Sequence, residues 1–246
     1  MTEAPPRAVL LDIEGTTTPV EFVYQVLFPF ARQHAGEFIR RHHLSEEVSS
    51  DVQGLREQYR ADAEKGLGPP TWEGGTVDSE LESAIRYVHW LMDQDRKATA
   101  LKSLQGKIWE AGYLSGQLRG QIYPDVLPAF RRWRAQGRGV YIFSSGSVLA
   151  QKLLFAHTTE GDLTGYIGGY FDTTTGAKTA ADSYRSISAT TGLPAAEVLF
   201  LSDVAAELEA ARAAGMETAL CVRPGRPEPD TPTHRKVRTF DEVCPL

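Results

Sequence analysis

The chain alternates short apolar runs with stretches in which apolar residues recur at helical spacing. Each run is rich in Val, Ile, Leu or Phe and is bounded by Gly, Ser, Asp or Arg, as is typical of buried parallel strands. The runs are residues 8–13, 140–143, 198–201 and 219–222. Helical patterns at 147–155, 184–191 and 205–214 separate the last three runs. This alternation predicts an α/β fold with a doubly wound, Rossmann-like parallel sheet.

Residues 21–120 follow a different pattern, with helical stretches at 24–41, 79–95 and 101–110 and no convincing strand. This region separates the first strand from the second and is far longer than an ordinary crossover. We therefore expect an inserted helical cap domain at 21–120 and a core domain that contains the sheet, formed by residues 1–20 and 121–246. The alternative is that these helices simply pack on the sheet.

Composition and charge exclude several classes of protein. The formal net charge of −6 argues against a nucleic-acid partner, because such proteins usually carry a basic face. No run approaches the ~20 apolar residues of a membrane span, and the N-terminus lacks the pattern of a signal peptide. Cys221 and Cys244 fit neither a disulfide framework nor a zinc pattern. We expect a cytoplasmic protein without a membrane partner.

Polar side chains lie at or just after the ends of three of the four predicted strands, and a lysine lies between the second and third. Because the carboxyl ends of parallel strands meet at one edge of a sheet, these groups are expected to share one crevice. They are Asp12 and Glu14, Ser144 and Ser145, Lys178, and Asp203 with Glu207.

This set suits metal-assisted phosphoryl transfer. Asp12 would attack phosphorus, and Glu14 would move a proton. Mg²⁺ prefers oxygen ligands, so an ion held by Asp12 and Asp203 would relieve the repulsion between carboxylate and phosphate. Each residue alone has an ordinary structural explanation, such as a turn former or a helix cap. The specificity lies in the combination and its order.

The remaining polar groups suit a phosphate and its transition state. Ser144 or Ser145, with backbone N–H groups at the start of the next helix, would hold phosphate oxygens. Lys178 would supply positive charge where negative charge builds up.

The order and spacing of these residues resemble the haloacid dehalogenase superfamily of phosphotransferases. The stretch Asp12-Ile-Glu14-Gly-Thr16 is similar to its first motif, in which the leading Asp is the nucleophile and the residue two positions later is the acid/base. Members of this superfamily insert a helical cap just after that motif. The later motifs are matched by Ser144 or Ser145, by Lys178, and by Asp203 with Glu207.

Glu14 narrows the resemblance, because most of the superfamily has Asp at this position. The chain resembles the enolase-phosphatase family of methionine salvage, also called acireductone synthases. Besides Glu14, the stretches that carry this resemblance are 100–109, 143–155, 159–162, 170–172, 199–204 and 222–225. The resemblance covers nearly the whole chain, except the tail after about residue 226.

The resemblance implies a two-step reaction on 2,3-diketo-5-methylthiopentyl-1-phosphate. Enolisation comes first, and Mg²⁺-dependent dephosphorylation through an aspartyl-phosphate then yields phosphate and the acireductone 1,2-dihydroxy-3-keto-5-methylthiopentene. It also implies a cytosolic monomer with one Mg²⁺ per subunit. The implied metal site is Asp12, Glu14 and Asp203, and the implied substrate-binding residues are Ser144, Ser145 and Lys178.

The resemblance leaves two details open. In the superfamily, the residue at the position of Glu14 contacts Mg²⁺ through its backbone carbonyl, which leaves its side chain for proton transfer. The enolisation base is left among Glu14, Lys178 and a residue of the helical region.

The alternative functions share parts of this pattern. A capped phosphatase for another small phosphate ester, or a phosphomutase, would have the same core motifs. A dehalogenase attacks carbon and needs neither Mg²⁺ nor a second acid, so Glu14 and Asp203 argue against it. A catalytically silent binding protein would be favoured by loss of Asp12, Lys178 or Asp203, and all three are present.

Overall fold

A computed structural model of the protein describes residues 5–96, 98–225 and 234–245. The chain divides into two compact units, one of Met1–Val23 with Arg119–Leu246 and one of Tyr24–Leu118. The first unit contains the sheet, and the described part of the second is helical. That the helical unit acts as a cap stays a prediction. None of the described helices is long and apolar enough to cross a membrane.

The first unit is built on a parallel sheet of six strands in its described part. The strands are β1 (Ala8–Leu11), β2 (Gly139–Phe143), β3 (Gly169–Phe171), β4 (Val198–Ser202), β5 (Glu217–Cys221) and β6 (Arg235–Val237). Their spatial order is β3-β2-β1-β4-β5-β6, and each neighbouring pair is parallel. The predicted Rossmann-like α/β fold is confirmed. The strand order reverses beside β1, and in such sheets ligands bind at the carboxyl ends next to the reversal.

Buried apolar faces hold this sheet in place. All four residues of β1 and all five of β4 are buried, as expected for strands covered on both faces. The helices of this unit are α1 (Val20–Phe22), α6 (Val126–Ala135), α7 (Val148–Ala156), α8 (Ala181–Thr191) and α9 (Ala205–Ala213). Trp133 on α6 and Tyr184 on α8 are among its largest fully buried side chains.

The helical unit begins at Tyr24, inside a π-helical turn, Val23–Leu27, that leads into its first long helix. Its helices are α2 (Phe28–His42), α3 (Glu46–Glu64), α4 (Val77–Asp93) and α5 (Thr99–Leu114). They share an apolar core that includes Ile39, Leu55 and Leu104. Helices α2 and α5 approach closely at Gly112, where an added Cβ would lie 2.6 Å from the ring of Phe30.

A buried carboxylate links three parts of the helical unit. Asp62 of α3 is fully buried and accepts hydrogen bonds from Tyr87 at 2.7 Å, Arg96 at 2.8 Å and Gln58 at 2.9 Å. Burial by itself raises the pKa of the Asp62 carboxyl, but these three donors outweigh it and the pKa lies below its ordinary value.

We expect Asp62→Asn to destabilise the protein by about 2 kcal/mol at pH 7, because it removes hydrogen bonds to a buried charged group. The folded state keeps Asp62 ionised more readily than the unfolded state does. Its contribution is therefore complete above about pH 4 and is lost as the pH falls through the folded pKa. The variant should accordingly show a shallower loss of stability between pH 4 and pH 2 in urea unfolding.

Asp93→Asn is the matched control, because Asp93 also pairs with an arginine of this unit, Arg32 at 2.8 Å, but is 56% exposed. Its effect should stay within about 0.5 kcal/mol. Equal effects of the two substitutions would contradict the role given to Asp62.

Candidate active site

The first motif forms a tight turn directly after β1. The Asp12 amide donates to the carbonyl of Leu201 at 3.0 Å, so Asp12 extends the pairing of β1 with β4. The amides of Thr16, Thr17 and Thr18 all donate to the carbonyl of Ile13, at 3.2, 2.9 and 2.9 Å. The turn brings the chain back after Asp12 and places Glu14 at its outer, half-buried part.

Three buried charged groups meet at the end of β1. The Lys178 Nζ lies 2.6 Å from Oδ1 of Asp12 and 2.7 Å from Oε2 of Glu207. Exposed fractions are 4% for Asp12, 8% for Lys178 and 8% for Glu207. The lysine is therefore shared between two carboxylates, which compensate its burial and fix its position.

This cluster shifts the pKa values of its members. Burial lowers the pKa of Lys178, but the carboxylates of Asp12 and Glu207 outweigh burial and raise it above its ordinary value. Burial raises the pKa of the Glu207 carboxyl, and the neighbouring Asp12 carboxylate raises it further, against the opposing effects of Lys178 and Ser202. Lys178 therefore stays an ammonium at neutral pH and provides a fixed positive charge beside Asp12.

Two neutral side chains orient the cluster. The Ser202 hydroxyl, fully buried at the end of β4, lies 2.9 Å from Glu207 and 3.4 Å from Oδ2 of Asp12. The hydroxyl of Tyr184 donates to the Lys178 carbonyl at 2.6 Å. Both contacts fix the direction from which Lys178 and Glu207 approach Asp12.

Asp203 lies against the first-motif turn. A Cβ added at Gly15 would be 2.2 Å from Oδ2 of Asp203 and 2.6 Å from its Cγ. Gly15 also has φ +71°, in the left-handed region that glycine favours. Glycine is therefore needed here both for the turn and for the approach of the Asp203 carboxylate.

The two candidate serines, in the segment after β2, differ in burial. Ser144 is buried and its hydroxyl accepts a hydrogen bond from the Gly146 amide at 3.2 Å, whereas Ser145 is exposed. Gln151 of α7, 1% exposed, donates to the carbonyls of Gly146 and Phe171, both at 2.8 Å. This amide holds the serine segment against the end of β3.

From the sequence we expect backbone amides at the start of α7 to bind phosphate, but two of them donate to protein groups instead. The Val148 amide donates to Asp172 at 3.1 Å, and the Ala150 amide donates to the N-cap Ser147 at 3.3 Å. Two of the first amides of the helix therefore already have acceptors within the protein. The Ser144–Ser145 segment is left as the phosphate-binding candidate here.

The donor set near Asp12 fits a magnesium ion. Mg²⁺ is usually held by one or two carboxylates, with waters and substrate phosphate completing its shell. Asp12 and Asp203 follow neighbouring strands, and the space that a Gly15 side chain would fill is left to Asp203. In residues 5–96, 98–225 and 234–245, no group of three His, Cys, Asp or Glu side chains is placed to hold a metal ion.

The structure places the predicted residues at or after strand ends or in loops of the sheet unit, apart from Glu207 in the first turn of α9, and it brings Lys178 into contact with both Asp12 and Glu207. The sequence places Ser202 directly before Asp203 at a predicted strand end, with Glu207 four residues after Asp203, but it does not show that both side chains reach the Asp12–Lys178 pair. Gln151 was not singled out from the sequence.

Sequence comparisons connect this chain with known hydrolases. A family model described as haloacid dehalogenase-like hydrolase matches residues 6–215. The chain is 50% identical to Enolase-phosphatase E1 of Synechococcus elongatus, over 96% of both chains. It is 46% identical to Enolase-phosphatase E1 of Sorangium cellulosum, over 100% of both chains.

Comparisons with solved structures agree with the fold. The UTR4 protein of Saccharomyces cerevisiae superimposes with a TM-score of 0.77 at 34% identity, over 97% of this chain and 100% of that one. The L-2-haloacid dehalogenase RSc1362 superimposes with a TM-score of 0.53 at 19% identity, over 98% of each chain. The second likeness shows the fold alone.

Proposed function

The chain belongs to the enolase-phosphatases of the haloacid dehalogenase-like hydrolases, and from this premise we propose how its residues carry out the reaction. It converts 2,3-diketo-5-methylthiopentyl-1-phosphate to the acireductone 1,2-dihydroxy-3-keto-5-methylthiopentene and phosphate, by enolisation and then dephosphorylation. The observation that carries the proposal is the buried pair of Asp12 with Lys178, 2.6 Å apart at the carboxyl end of β1.

Asp12 is the nucleophile of the phosphatase step. One carboxylate oxygen forms a bond to phosphorus as the bond from phosphorus to the ester oxygen breaks, which gives an aspartyl-phosphate. The ammonium of Lys178, 2.6 Å from Oδ1 of Asp12, offsets the charge of the incoming phosphate. Glu207 holds the ammonium of Lys178 from the other side, at 2.7 Å.

Glu14 is the proton-transfer residue. It protonates the leaving ester oxygen and then takes a proton from the water that hydrolyses the aspartyl-phosphate. Its position supports this role, because it is half-buried in the turn two residues after the nucleophile. Its side chain is longer than the usual Asp by one methylene, which extends its reach toward a second reacting atom. We propose that this reach also serves the enolisation.

Magnesium is the cofactor in this proposal, and the carboxylates of Asp12 and Asp203 with the backbone carbonyl of Glu14 would hold it. When bound, the ion would supply charge neutralisation between phosphate and carboxylate. Ser144 and Ser145 bind the phosphate oxygens together with Lys178. The helical unit, residues 24–118, is the substrate-selecting cap, and the protein acts as a cytoplasmic monomer.

The test follows both products at once. With the diketone phosphate as substrate, phosphate release and the ultraviolet band of the enediol should appear together. EDTA should stop phosphate release, and excess Mg²⁺ should restore it. Release of phosphate at an unchanged rate in EDTA would contradict the metal-dependent mechanism.

Turnover of this substrate is compared with that of other small phosphate esters in the same assay. A preference for another ester would favour a generic capped phosphatase or phosphomutase. That outcome would leave the assignment of Asp12 intact.

A further inference from the structure

Arg223 is a buried arginine outside the cluster around Lys178. It lies two residues after β5 and is 3% exposed. Its guanidinium lies between the rings of Tyr123 and Phe240, 4.3 Å from each centroid. Burial of an arginine between two aromatic faces is costly unless its donors are satisfied, so its hydrogen bonds indicate its role.

The donors of Arg223 converge on one carbonyl of the first motif. Nε and Nη2 donate to the Thr16 carbonyl at 2.8 and 2.6 Å. Nη1 donates to Oδ2 of Asp125 at 2.5 Å, and that oxygen also accepts the Phe240 amide at 2.6 Å. The charge is thus neutralised on one side while two donors of the fork hold the first-motif turn on the other.

The hydrogen bonds from Arg223 to the Thr16 carbonyl hold the first-motif turn in place more than they hold Asp12. Asp12 is held by its amide bond to the Leu201 carbonyl of β4. Glu14 lies beyond that pairing, between Ile13 and Thr16. The Ile13 carbonyl accepts the amides of the turn, and the Thr16 carbonyl accepts the hydrogen bonds from Arg223. Movement of the Thr16 peptide would therefore shift Glu14 before it shifted Asp12.

We propose that Arg223 is a positioning residue that aims Glu14 at the reacting atoms by fixing the turn between Ile13 and Thr16. This inference rests on the acid/base role proposed for Glu14. A lysine could not replace it, because a single ammonium cannot donate twice to the Thr16 carbonyl, pair with Asp125 and stack between two rings.

The first test compares two arginine-to-lysine variants of the full-length protein. Arg223→Lys should lower kcat for phosphate release by about 10²-fold with little change in KM, because a small displacement of a catalytic group has effects of this size. Arg132→Lys is the matched control. Arg132 is also largely buried, but its hydrogen bonds run to the segment of residues 240–244, including the carbonyls of Phe240 and Val243, rather than to the first-motif turn.

Arg132→Lys should lower the Tm by an amount similar to Arg223→Lys while kcat stays within about twofold of the parent, because the reacting atoms do not move. A similar loss of kcat in both variants would overturn the proposal, since it would mean that any loss of packing slows the reaction.

A double-mutant cycle provides a readout that a purely structural role would not affect. Glu14→Gln should itself lower kcat by about 10²- to 10⁴-fold. If Arg223 acts through Glu14, adding Arg223→Lys to Glu14→Gln should lower kcat by less than about threefold further. Losses that multiply in the double variant would overturn the proposal and leave the proposed function standing.

A different result is expected if the proposed role of Glu14 is wrong. A Glu14→Gln variant with parental kcat would refute the acid/base role of Glu14, and the inference about Arg223 with it. If Arg223→Lys does not fold, Asp125→Asn replaces it in the cycle, because it weakens the same anchor from the other side of the guanidinium. The same non-additivity with Glu14→Gln is then expected, and its absence overturns the proposal.

Discussion

Replacing Asp12 by Asn is expected to abolish phosphate release, with a fall in kcat of at least about 10⁴-fold, because an amide oxygen is a poor nucleophile. The substitution also removes the charge that lies 2.6 Å from Lys178. Glu207 stays 2.7 Å from that lysine, so the ammonium keeps a partner and the fold should survive. Phosphate release, circular dichroism and Tm check the two parts of this expectation.

Asp182→Asn is the matched control for Asp12→Asn. Asp182 belongs to the same unit, but its side chain is 90% exposed and pairs with Arg185 on the surface. Its kcat should be that of the parent, because exposed ion pairs contribute little and none of the reacting groups is touched. A folded Asp12→Asn variant that still released phosphate at a substantial rate would refute the assignment of Asp12 as nucleophile.

Gly15→Ala is expected to lower kcat/KM by about 10²-fold or more and to raise the Mg²⁺ concentration needed for activity by about tenfold. The new Cβ would lie 2.2 Å from Oδ2 of Asp203, so the carboxylate must move away from the turn. The positive φ of this residue adds about 1 kcal/mol of backbone strain, which lowers stability rather than activity. Titration of activity with Mg²⁺ and a Tm measurement separate these effects.

Gly192→Ala separates backbone strain from the displacement of Asp203. Gly192 ends α8 with the same φ, +71°, but a Cβ there would meet nothing within 4 Å. Its Tm should fall about as much as that of Gly15→Ala, with an unchanged Mg²⁺ dependence. If the two variants showed the same Mg²⁺ dependence, the close approach of Asp203 to Gly15 would not matter for the metal.

Buried strands and the helices that follow them were predictable because their signal is local. Residues 198–201 were predicted as a strand, and β4 is Val198–Ser202, with all five residues buried. Residues 205–214 were predicted as a helix, and α9 is Ala205–Ala213. An uninterrupted apolar run bounded by polar residues indicates a strand covered on both faces.

Several of the elements that were not predicted, including β3, β6 and α3, lack that contrast. Strand β6 has two exposed residues in three, and β3 has two half-buried ones, so neither forms an apolar run. Helix α3, Glu46–Glu64, is strongly polar, and only four of its residues are buried. Short edge strands and polar helices are formed by their neighbours in the fold, which a local pattern does not contain.

The candidate site was predictable as a set of residues but not as a set of contacts. The sequence shows that Asp12, Ser144 and Asp203 lie at or just after the ends of predicted strands, and a parallel sheet brings such positions to one edge. It does not show that Glu207 reaches Lys178, because an acid in the first turn of a helix is expected for the helix dipole alone. The anchor from Arg223 to Thr16 joins residues 207 positions apart and has no local signal.

The sequence by itself determined the α/β class, four of the strands and the residue types at their carboxyl ends, because burial and chain direction are local properties of each run. Only the tertiary structure decided the pairing of Asp12 with Lys178, 166 positions away, and the closeness of Asp203 to Gly15. Those contacts depend on the strand order and on the approach of two loops. Strand order is fixed by packing over the whole unit, so no short stretch of sequence specifies it.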